Sequence, residues 1–295
     1  MLYEISLEDG SRKILKQEKA GDSFEGHLYM SERINVEARD GVSIPVSLMY
    51  RKDKFKKDGT NPLYQYGYGA YGATIDPGFD QTAISLVDRG FIYAIAHIRG
   101  GQMLNREWYE KGRKLTKKNS FNDFIDVTKA LIERGYVDGD KLYASGSSAG
   151  GLLVGAVMIQ APYLYDGIFA GVPFVDVVTT MEDPTIPLTA GEWEEWGDPR
   201  RKAEYEYMLS YSPYDQLKKN DYPNLMITGG WHDAAVQYYE PLKWTARLRD
   251  RHLDSAKVLL ELDMSSGHGG ASGRFAQLRL SARELAFFAG LAADH

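Results

Sequence analysis

The sequence predicts an α/β fold with a mainly parallel central sheet and helices on both of its faces. From Pro62 onward, short apolar segments alternate with longer amphipathic segments, which is the order of strands and helices in a wound parallel sheet. Residues 91–98 form a nearly continuous apolar run, as expected of a strand that is buried on both faces. The 295 residues are sufficient for one large domain with a sizeable core.

Two β-hairpins are predicted ahead of this alternating region. Residues 2–15 form two strands around the turn Asp9-Gly10, and residues 33–38 and 44–50 flank a second turn at Asp40-Gly41. Asp-Gly pairs favour the tight turns that join antiparallel strands, because glycine adopts a positive φ at little steric cost. N-terminal β-hairpins are therefore expected to precede the parallel sheet.

The remaining elements are predicted from apolar periodicity and from residues that begin or end helices. A helix is expected to begin at Ser120, where Asp123 forms a variant of the capping box, and to end at Gly135. Its apolar residues recur at helical spacing. Further strands are predicted at residues 63–68, 141–145, 225–228 and 258–262, and further helices at residues 152–159, 241–249 and 278–291.

The composition narrows the class of protein. Hydrophobic residues make up 43% of the chain and charged residues 26%, which is typical of a soluble globular protein. The net charge of −6 argues against nucleic acid or an anionic membrane as the main partner, because no general positive field attracts phosphates. We interpret the basic run at residues 111–118 as a solvated face.

Several sequence features are absent. Without cysteine the chain has no disulfide, no thiolate metal site and no cysteine nucleophile. No stretch approaches the ~18 apolar residues of a membrane span, and residues 1–19 contain no apolar signal-peptide core. We therefore expect a soluble, cytoplasmic protein that works without a metal or a cofactor.

A glycine-rich hexapeptide, Gly146-Ser147-Ser148-Ala149-Gly150-Gly151, stands between a predicted strand and a predicted apolar helix. A tight strand-to-helix turn exposes a serine hydroxyl, and glycines two residues before and after that serine leave room for neighbouring backbone. Ser148 has glycine at both positions, whereas Ser147 does not. A phosphate-binding loop would need Gly-Lys-Ser or Gly-Lys-Thr, which is absent. The pattern predicts Ser148 as a covalent nucleophile in an α/β-hydrolase fold.

Candidates for the base and its orienting acid lie after the serine. In the α/β-hydrolase fold the acid and the histidine follow the nucleophile in that order, on loops after later strands. His268 lies in a glycine-rich loop after the last predicted strand and is the candidate base, with His232 as the alternative. Asp233 follows the preceding strand and is the candidate acid, with Asp263 as its competitor. The other histidines precede the serine or occupy charged or terminal positions: His27, His97, His252 and His295.

Two hydrogen-bond donors are expected where negative charge develops on a substrate oxygen. One is the backbone N–H of Ala149, the residue after the nucleophile. The second is expected from a loop after an early strand, and Tyr68 in such a loop can supply its phenolic O–H. Because the chain contains 20 tyrosines, core packing is the alternative role for Tyr68.

Seven segments, in order along the chain, carry a family resemblance: Tyr66-Gly67-Tyr68-Gly69, Ala96-His97-Ile98-Arg99-Gly100-Gly101, Gly146-Ser147-Ser148-Ala149-Gly150-Gly151, Pro173-Phe174-Val175-Asp176-Val177, Gly191-Glu192-Trp193-Glu194-Glu195-Trp196-Gly197, His232-Asp233 and Gly267-His268-Gly269-Gly270-Ala271-Ser272-Gly273-Arg274. Together they resemble the prolyl oligopeptidase family, and within it the oligopeptidase B branch. The resemblance covers roughly residue 30 to the C-terminus. By matching position it implies Ser148, Asp233 and His268 as a catalytic triad and Tyr68 as an oxyanion donor.

The resemblance also implies a substrate preference. In that branch an acidic pair binds an arginine or lysine on the acyl side of the cleaved bond, and here the pair falls on Glu192 and Glu194. A carboxylate pair in a partly desolvated pocket favours a guanidinium. An acidic helix start is the alternative interpretation of these residues. Asp76 matches a second subsite for a basic residue.

Two positions depart from the family pattern. Gln102-Met103 replaces the usual Gly-Glu, and Ala235 stands where relatives often carry a polar or arginine side chain that holds the substrate backbone. Peptide anchoring is therefore expected to differ from that of the family.

The resemblance implies a two-domain protein in which a seven-bladed propeller covers the active site. Residues 1–29 resemble the end of a last blade, and residues 30–295 resemble the catalytic domain. With the site uncovered, we expect cleavage of small esters ahead of short peptides, with arginine or lysine preferred on the acyl side. The alternatives are a carboxylesterase without that preference and a non-catalytic hydrolase-fold fragment. Self-association into a homo-oligomer is a further expectation.

Overall fold

The computed structural model describes residues 1–17, 24–253 and 256–294 and has the predicted α/β architecture. Part of the predicted N-terminal segment, and His295, lie outside the described residues. The strands are β1 (Leu2–Ile5), β2 (Arg12–Lys16), β3 (Tyr29–Glu37), β4 (Ser43–Arg51), β5 (Leu63–Tyr66), β6 (Ile92–Ala96), β7 (Leu142–Ser147), β8 (Gly167–Gly171), β9 (Asn224–Gly230) and β10 (Val258–Asp263). The α-helices are α1 (Gln81–Val87), α2 (Arg106–Glu110), α3 (Lys118–Glu133), α4 (Ala149–Gln160), α5 (Val177–Glu182), α6 (Thr189–Trp196), α7 (Lys202–Leu209), α8 (Pro213–Gln216), α9 (Tyr239–Arg251) and α10 (Arg274–Asp294), and short 3₁₀ helices cover Gly26–Leu28, Lys114–Thr116 and Pro162–Leu164.

The central sheet has eight strands in the order β10-β9-β8-β7-β5-β6-β4-β3. Neighbours from β10 to β6 pair in parallel, whereas β4 is antiparallel to both β3 and β6. Parallel strands bring their carboxyl ends to one edge, so the loops after β5, β7, β9 and β10 lie close together. Strands β1 and β2 form a separate exposed hairpin, and its interpretation as the end of a propeller blade stays a prediction.

Helices cover both faces of the sheet. Along β7, Leu142 and Ala144 belong to a large core that includes residues of α3, α4 and α9. Tyr143, between them, belongs to a smaller core that includes residues of α1 and α10. Because successive side chains of a strand point to opposite faces, β7 is buried on both sides.

The periodicity identifies the long elements and misses short ones. Both predicted hairpins are present, and the predicted strands and helices occur with ends shifted by a few residues. Strand β8 and the short helices α1, α2 and α5 to α8 are additional to the predicted elements. The sequence of β8, Gly-Ile-Phe-Ala-Gly, has glycine at both ends, and such residues are more typical of loops.

The predicted capping box at the start of α3 is wrong. The helix begins at Lys118, and no side chain caps its first turn. Ser120 and Asp123 are buried inside the helix, where the Ser120 hydroxyl donates to the Arg99 carbonyl at 2.6 Å and the Asp123 carboxylate pairs with the Arg99 guanidinium at 2.5 Å. These polar groups partner a buried arginine, whose charge requires a carboxylate close by.

The interpretation of residues 111–118 as a solvated face is wrong for one of its basic residues, Lys117. Lys111 is 52% exposed and pairs with Glu107, as a solvated lysine does. Lys117 is only 2% exposed, and its Nζ donates to the Gly69 carbonyl at 2.5 Å. The local sequence does not distinguish a lysine buried by such a tertiary contact from its solvated neighbours.

Within the described residues, no helix combines the length and the apolar character needed to cross a bilayer. Over the same ranges, no three or more histidine, aspartate or glutamate side chains are grouped so that they could hold a metal ion. The expected cytoplasmic location and the expected lack of a cofactor stay predictions.

Candidate active site

Ser148 lies on a sharp turn between β7 and α4. Its backbone has φ 59° and ψ −119°, a conformation that L residues rarely adopt. A Cβ added to Gly146 would lie 2.2 Å from the Gly150 carbonyl oxygen, and a Cβ added to Gly150 would lie 2.8 Å from the Gly67 carbonyl oxygen. The two glycines therefore permit the turn, and neighbouring backbone holds it in place.

The alternative serine points elsewhere. The Ser147 hydroxyl lies against β8, since a Cβ added to Gly171 would come within 2.3 Å of its Oγ. The Ser148 N–H donates to the carbonyl of the same glycine at 2.8 Å. Strand β8 thus holds the backbone of the turn and directs Ser148, not Ser147, toward the loops after β9 and β10.

Three side chains meet at this edge of the sheet. The Ser148 hydroxyl lies 2.9 Å from His268 Nε2, and His268 Nδ1 lies 2.7 Å from Asp233 Oδ2. Because a carboxylate only accepts hydrogen bonds, Nδ1 carries the proton that it donates to Asp233, and Nε2 presents a lone pair to the serine. This is the hydrogen-bonding order expected of an activated serine, and the catalytic roles of the three residues stay predictions.

Asp233 is fixed by its own loop. It is 4% exposed, and its Oδ1 accepts from the N–H groups of Ala235 and Val236 at 2.9 and 2.8 Å. With both oxygens engaged, the carboxylate is held in one orientation toward His268. Burial of a carboxylate is tolerated when its lone pairs are satisfied in this way.

The loops that carry Asp233 and His268 pack backbone against backbone. A Cβ added to Gly230 would lie 2.7 Å from the Gly267 carbonyl oxygen, so this close approach requires glycine. The alternative acid, Asp263, accepts from the N–H and hydroxyl of Ser265 at 2.8 and 2.7 Å and so shapes the turn before the loop. His232, the alternative base, is exposed.

Two donors stand beside the serine hydroxyl. Ala149 is the first residue of α4, so its N–H has no carbonyl partner within the helix and is available to a substrate oxygen. The Tyr68 phenol is half-buried next to Ser148; burial raises the pKa of this phenol, and a hydrogen bond with the Ser148 hydroxyl acts in the opposite direction. The O–H of Tyr68 is therefore retained as a donor in neutral solution.

A pocket opens next to Ser148, and Glu192 lies in its wall. Glu192 Oε2 accepts from the Tyr71 hydroxyl at 2.7 Å and from Trp196 Nε1 at 2.9 Å. Burial raises the pKa of the Tyr71 phenol, and the negative charge of Glu192 raises it further. Among the contacts of the described residues both donors bind Oε2, which leaves Oε1 available to a substrate. The other lining residues are Ala149, Phe174, Thr180, Met181, Pro187, Leu188, Thr189, Ala235 and Val236.

The prediction that Glu194 shares this pocket with Glu192 is wrong. Its side chain is 81% exposed and pairs with Lys114 at 2.8 Å. Both glutamates lie on α6, and residues two apart on an α-helix point in directions ~200° apart, so they cannot face one pocket. Asp76 is exposed and is not among the residues that line the pocket, and its role in a second subsite stays a prediction.

The structure adds two residues that the sequence reasoning did not single out. Tyr71 contacts Glu192, and it closes the tyrosine- and glycine-rich loop after β5. Glu195, the third acid of the α6 segment, is 3% exposed and lies behind the pocket. Helical periodicity would separate the inward from the outward acids of α6 only once that segment is known to be a helix.

The fold and this side-chain arrangement define a class: an α/β-hydrolase fold with a serine, a histidine and an aspartate in hydrogen-bond contact. Comparison with known proteins gives the family. The model of the prolyl oligopeptidase family matches residues 77–295, and the chain belongs to that family.

Relatives agree with this assignment. The chain is 51% identical over 286 residues to dipeptidyl aminopeptidase BI of Pseudoxanthomonas mexicana and 42% identical over 285 residues to protease 2 of Moraxella lacunata, covering 97% of this chain in each case. It spans 39% and 41% of the lengths of these two relatives.

Solved structures of oligopeptidase B are closely similar. The enzyme of Trypanosoma brucei with covalently bound antipain, in its closed form, matches with a TM-score of 0.96 and 47% identity over 99% of this chain and 41% of that chain. The enzyme of Leishmania major matches with a TM-score of 0.95 and 45% identity over 99% of this chain and 40% of that chain. The expected resemblance to the oligopeptidase B branch is confirmed.

Proposed function

We propose that this chain is an acyl hydrolase that acts through an acyl-enzyme on Ser148. It cleaves small esters and short peptides, with arginine or lysine preferred on the acyl side. The observation that carries the proposal is the hydrogen-bonded series from Ser148 through His268 to Asp233, with distances of 2.9 and 2.7 Å. Its relatives include a protease and an aminopeptidase, which supports acyl transfer from a peptide.

Acylation begins at the serine hydroxyl. Ser148 Oγ attacks the acyl carbon while its proton moves to His268 Nε2, and the carbonyl oxygen takes the negative charge. The Ala149 N–H and the Tyr68 O–H donate to that oxygen, which stabilises the tetrahedral intermediate. When the intermediate collapses, the bond to the leaving group breaks and His268 returns the proton to the leaving alcohol or amine. A water molecule then releases the acyl group by the same steps.

The acyl-side preference rests on Glu192. A guanidinium or ammonium that enters the pocket meets a carboxylate whose other contacts are two neutral donors, Tyr71 and Trp196. A charge-assisted hydrogen bond in a partly desolvated pocket is about twice as strong as a neutral one. A neutral side chain of the same size gains no such interaction, so the pocket selects for positive charge.

Esters are expected to react ahead of amides. An alkoxide or phenolate is a better leaving group than an amine, which must be protonated by a correctly placed acid before the bond breaks. Ala235 also lies in the pocket wall, where a longer polar side chain could hold a peptide backbone. Small activated esters do not depend on such anchoring.

One experiment tests the proposal. The purified 295-residue chain is treated with a fluorophosphonate, which forms a P–O bond to an activated serine and releases fluoride, and the adduct is located by mass spectrometry. Labelling at Ser148, absent in Ser148→Ala, supports the proposal, whereas an unlabelled wild-type chain contradicts it. Parallel assays with an arginyl ester and the matching arginyl anilide test the order of substrates, and equal kcat/KM values on both would refute that order.

A further inference from the structure

A buried ion pair lies behind the site and has no part in the steps described above. Lys117 Nζ and Glu195 Oε1 are 3.7 Å apart, and the two side chains are 2% and 4% exposed. Burial lowers the pKa of Lys117 to about 8, and Glu195 acts in the opposite direction, so the ammonium is charged in neutral solution. Taking two charges out of water is costly, and further hydrogen bonds to the two charged groups are needed to offset that cost.

Each member of the pair binds backbone of the same loop. Lys117 Nζ donates to the Gly69 carbonyl at 2.5 Å, and Glu195 Oε1 accepts from the Tyr71 N–H at 3.0 Å. Both loop residues have positive φ, 70° for Gly69 and 58° for Tyr71. For tyrosine this conformation costs about 1–3 kcal/mol and persists only when surrounding contacts enforce it. The ion pair supplies those contacts from α6 and from the residue before α3.

This loop carries two groups of the proposed site. Tyr68, the proposed oxyanion donor, precedes Gly69, and the Tyr71 hydroxyl binds Glu192 at 2.7 Å. The same pair also reaches the pocket through Trp196, whose ring centre lies 4.8 Å from Lys117 Nζ and whose indole N–H donates to Glu192. The ion pair is therefore the structural link between the oxyanion donor and the acidic end of the pocket.

We propose that Lys117 and Glu195 are positioning residues that fix the loop carrying both Tyr68 and Tyr71. Through this loop they control both turnover and selectivity for a cationic acyl group. This proposal rests on the proposed function. Glu195→Gln keeps one oxygen that can accept from the Tyr71 N–H, but it loses the charge that pairs with Lys117 and the second acceptor that binds Tyr109. The contacts that enforce the positive φ of Tyr71 are therefore weakened, and the loop relaxes toward an ordinary φ. Both the phenol of Tyr68 and the Tyr71 hydroxyl that binds Glu192 then shift.

The test compares an arginyl ester with the matching citrullyl ester, which has nearly the same shape and no charge. The main variant is Glu195→Gln, with Glu194→Gln as the exposed control on the same helix. Turnover is expressed per active site by titration with the fluorophosphonate, so loss of folded protein does not count as loss of turnover. Displacement of catalytic groups by about 1 Å costs on the order of 100-fold, so a 10- to 100-fold fall in kcat on both esters is expected.

The distinguishing readout is the ratio of kcat/KM values for the two esters. A Tyr68→Phe variant should lower kcat on both esters with little change in the ratio, and Glu192→Gln should lower the ratio mainly through a higher KM for the arginyl ester. Glu195→Gln is expected to lower both kcat and the ratio, a combination that neither site variant gives. Lys117→Met/Glu195→Gln, which leaves no unpaired buried charge, should behave in the same way.

A milder variant serves if the charge variants do not fold. Tyr109 donates to Glu195 Oε2 at 2.6 Å, and Tyr109→Phe removes that hydrogen bond without removing a charge. It should lower kcat and the ratio in the same direction by a smaller factor, while Tyr163→Phe at a 76% exposed position changes neither. Folded variants with the wild-type kcat per active site and the wild-type ratio of the two kcat/KM values would overturn the positioning role alone. A wild-type chain without turnover or labelling would instead overturn the proposed function, and this proposal with it.

Discussion

A serine hydroxyl reacts only where a base removes its proton, and at Ser148 the imidazole of His268 lies 2.9 Å away. These two residues are 120 positions apart in the chain. Ser148 sits at a positive φ enforced by glycine contacts, and Asp233 accepts two N–H groups that orient it toward His268. At the scale of single residues, the site is preorganised before any substrate arrives.

Tyr68→Phe tests the proposed oxyanion donor. The variant loses only a phenolic oxygen, so the loop and the pocket should be unchanged. Because that hydroxyl would act on charge present only in the transition state, kcat should fall about 100- to 1,000-fold with little change in KM. Steady-state kinetics on an arginyl ester measure the change, and an unaltered kcat would show that Tyr68 has another role.

Glu192→Gln tests the acidic pocket. An amide keeps the shape of the side chain and loses its charge, so kcat/KM for an arginyl ester should fall about 10- to 100-fold, the usual worth of a charge-assisted hydrogen bond. The loss on the citrullyl ester should be much smaller, because its neutral side chain makes no ion pair with Glu192. Glu194→Gln, two residues away and 81% exposed, is the matched control and should affect neither ester. Equal losses on both esters in Glu192→Gln would argue against a charge-selective pocket.

At the scale of elements, the turn between β7 and α4 depends on space that only glycine leaves. Gly146→Ala places a methyl group 2.2 Å from the Gly150 carbonyl oxygen, so backbone must move. We expect destabilisation of about 3 kcal/mol or more and loss of fluorophosphonate labelling. Urea unfolding and the labelling assay measure the two effects.

Gly290→Ala is the matched control for that variant. Gly290 lies in α10, and a Cβ added there meets no atom within 4 Å. Alanine is the better helix former, so this variant should be more stable by about 0.5–1 kcal/mol with unchanged activity. A destabilised Gly290→Ala, or a Gly146→Ala that labels normally, would contradict this account of the two glycines.

Helix α6 shows how one short element assigns three glutamates to different environments. Glu192 faces the pocket, Glu194 pairs with Lys114 on the surface, and Glu195 is buried against Lys117. Helical geometry alone produces this division, because each residue is rotated ~100° from the previous one. The sequence Glu-Trp-Glu-Glu-Trp marks the segment as acidic but does not say which acid points inward.

At the scale of the whole molecule, Glu240 links the pocket wall to α9. It is fully buried, and its carboxylate accepts from the N–H groups of Val175 and Asp176 and from the Thr180 hydroxyl at 2.7–2.9 Å. Burial raises the pKa of Glu240 from 4.5 to about 7, opposed by these hydrogen bonds and assisted by the charge of Asp176. The folded protein therefore binds this proton more tightly than the unfolded chain does.

The stability of the fold should consequently depend on pH through Glu240. The contribution of this group is fully present below pH 4.5 and is lost as the pH rises through about 7, because folding then requires a buried charge. A difference of one pKa unit between the folded and unfolded states corresponds to about 1.4 kcal/mol in the free energy of unfolding. Glu240→Gln should flatten the fall in melting temperature between about pH 5 and 8, whereas Glu206→Gln on the surface should not. Parallel curves for wild type and Glu240→Gln would contradict this assignment.

The sequence by itself determined the class of the fold and predicted the turn that carries Ser148 as the nucleophile. Apolar periodicity depends on local geometry, so the long strands and helices could be predicted, and glycine at both sides of Ser148 identified the turn. Chain order, together with the charged or terminal positions of other histidines, reduced the candidate partners to His232 or His268 and to Asp233 or Asp263. The oligopeptidase B resemblance pointed to the same residues and added an acidic pocket.

Only the tertiary structure decided which of these side chains meet and which polar groups are buried. Glu194 was expected in the pocket and lies outside it, while Lys117 was expected in solvent and is 2% exposed. Ser120 and Asp123 look like a helix cap in the sequence and instead partner Arg99. Each of these outcomes depends on the direction of one side chain relative to residues far away in the chain. Local sequence patterns carry no information on that direction, because it is set by how the elements pack.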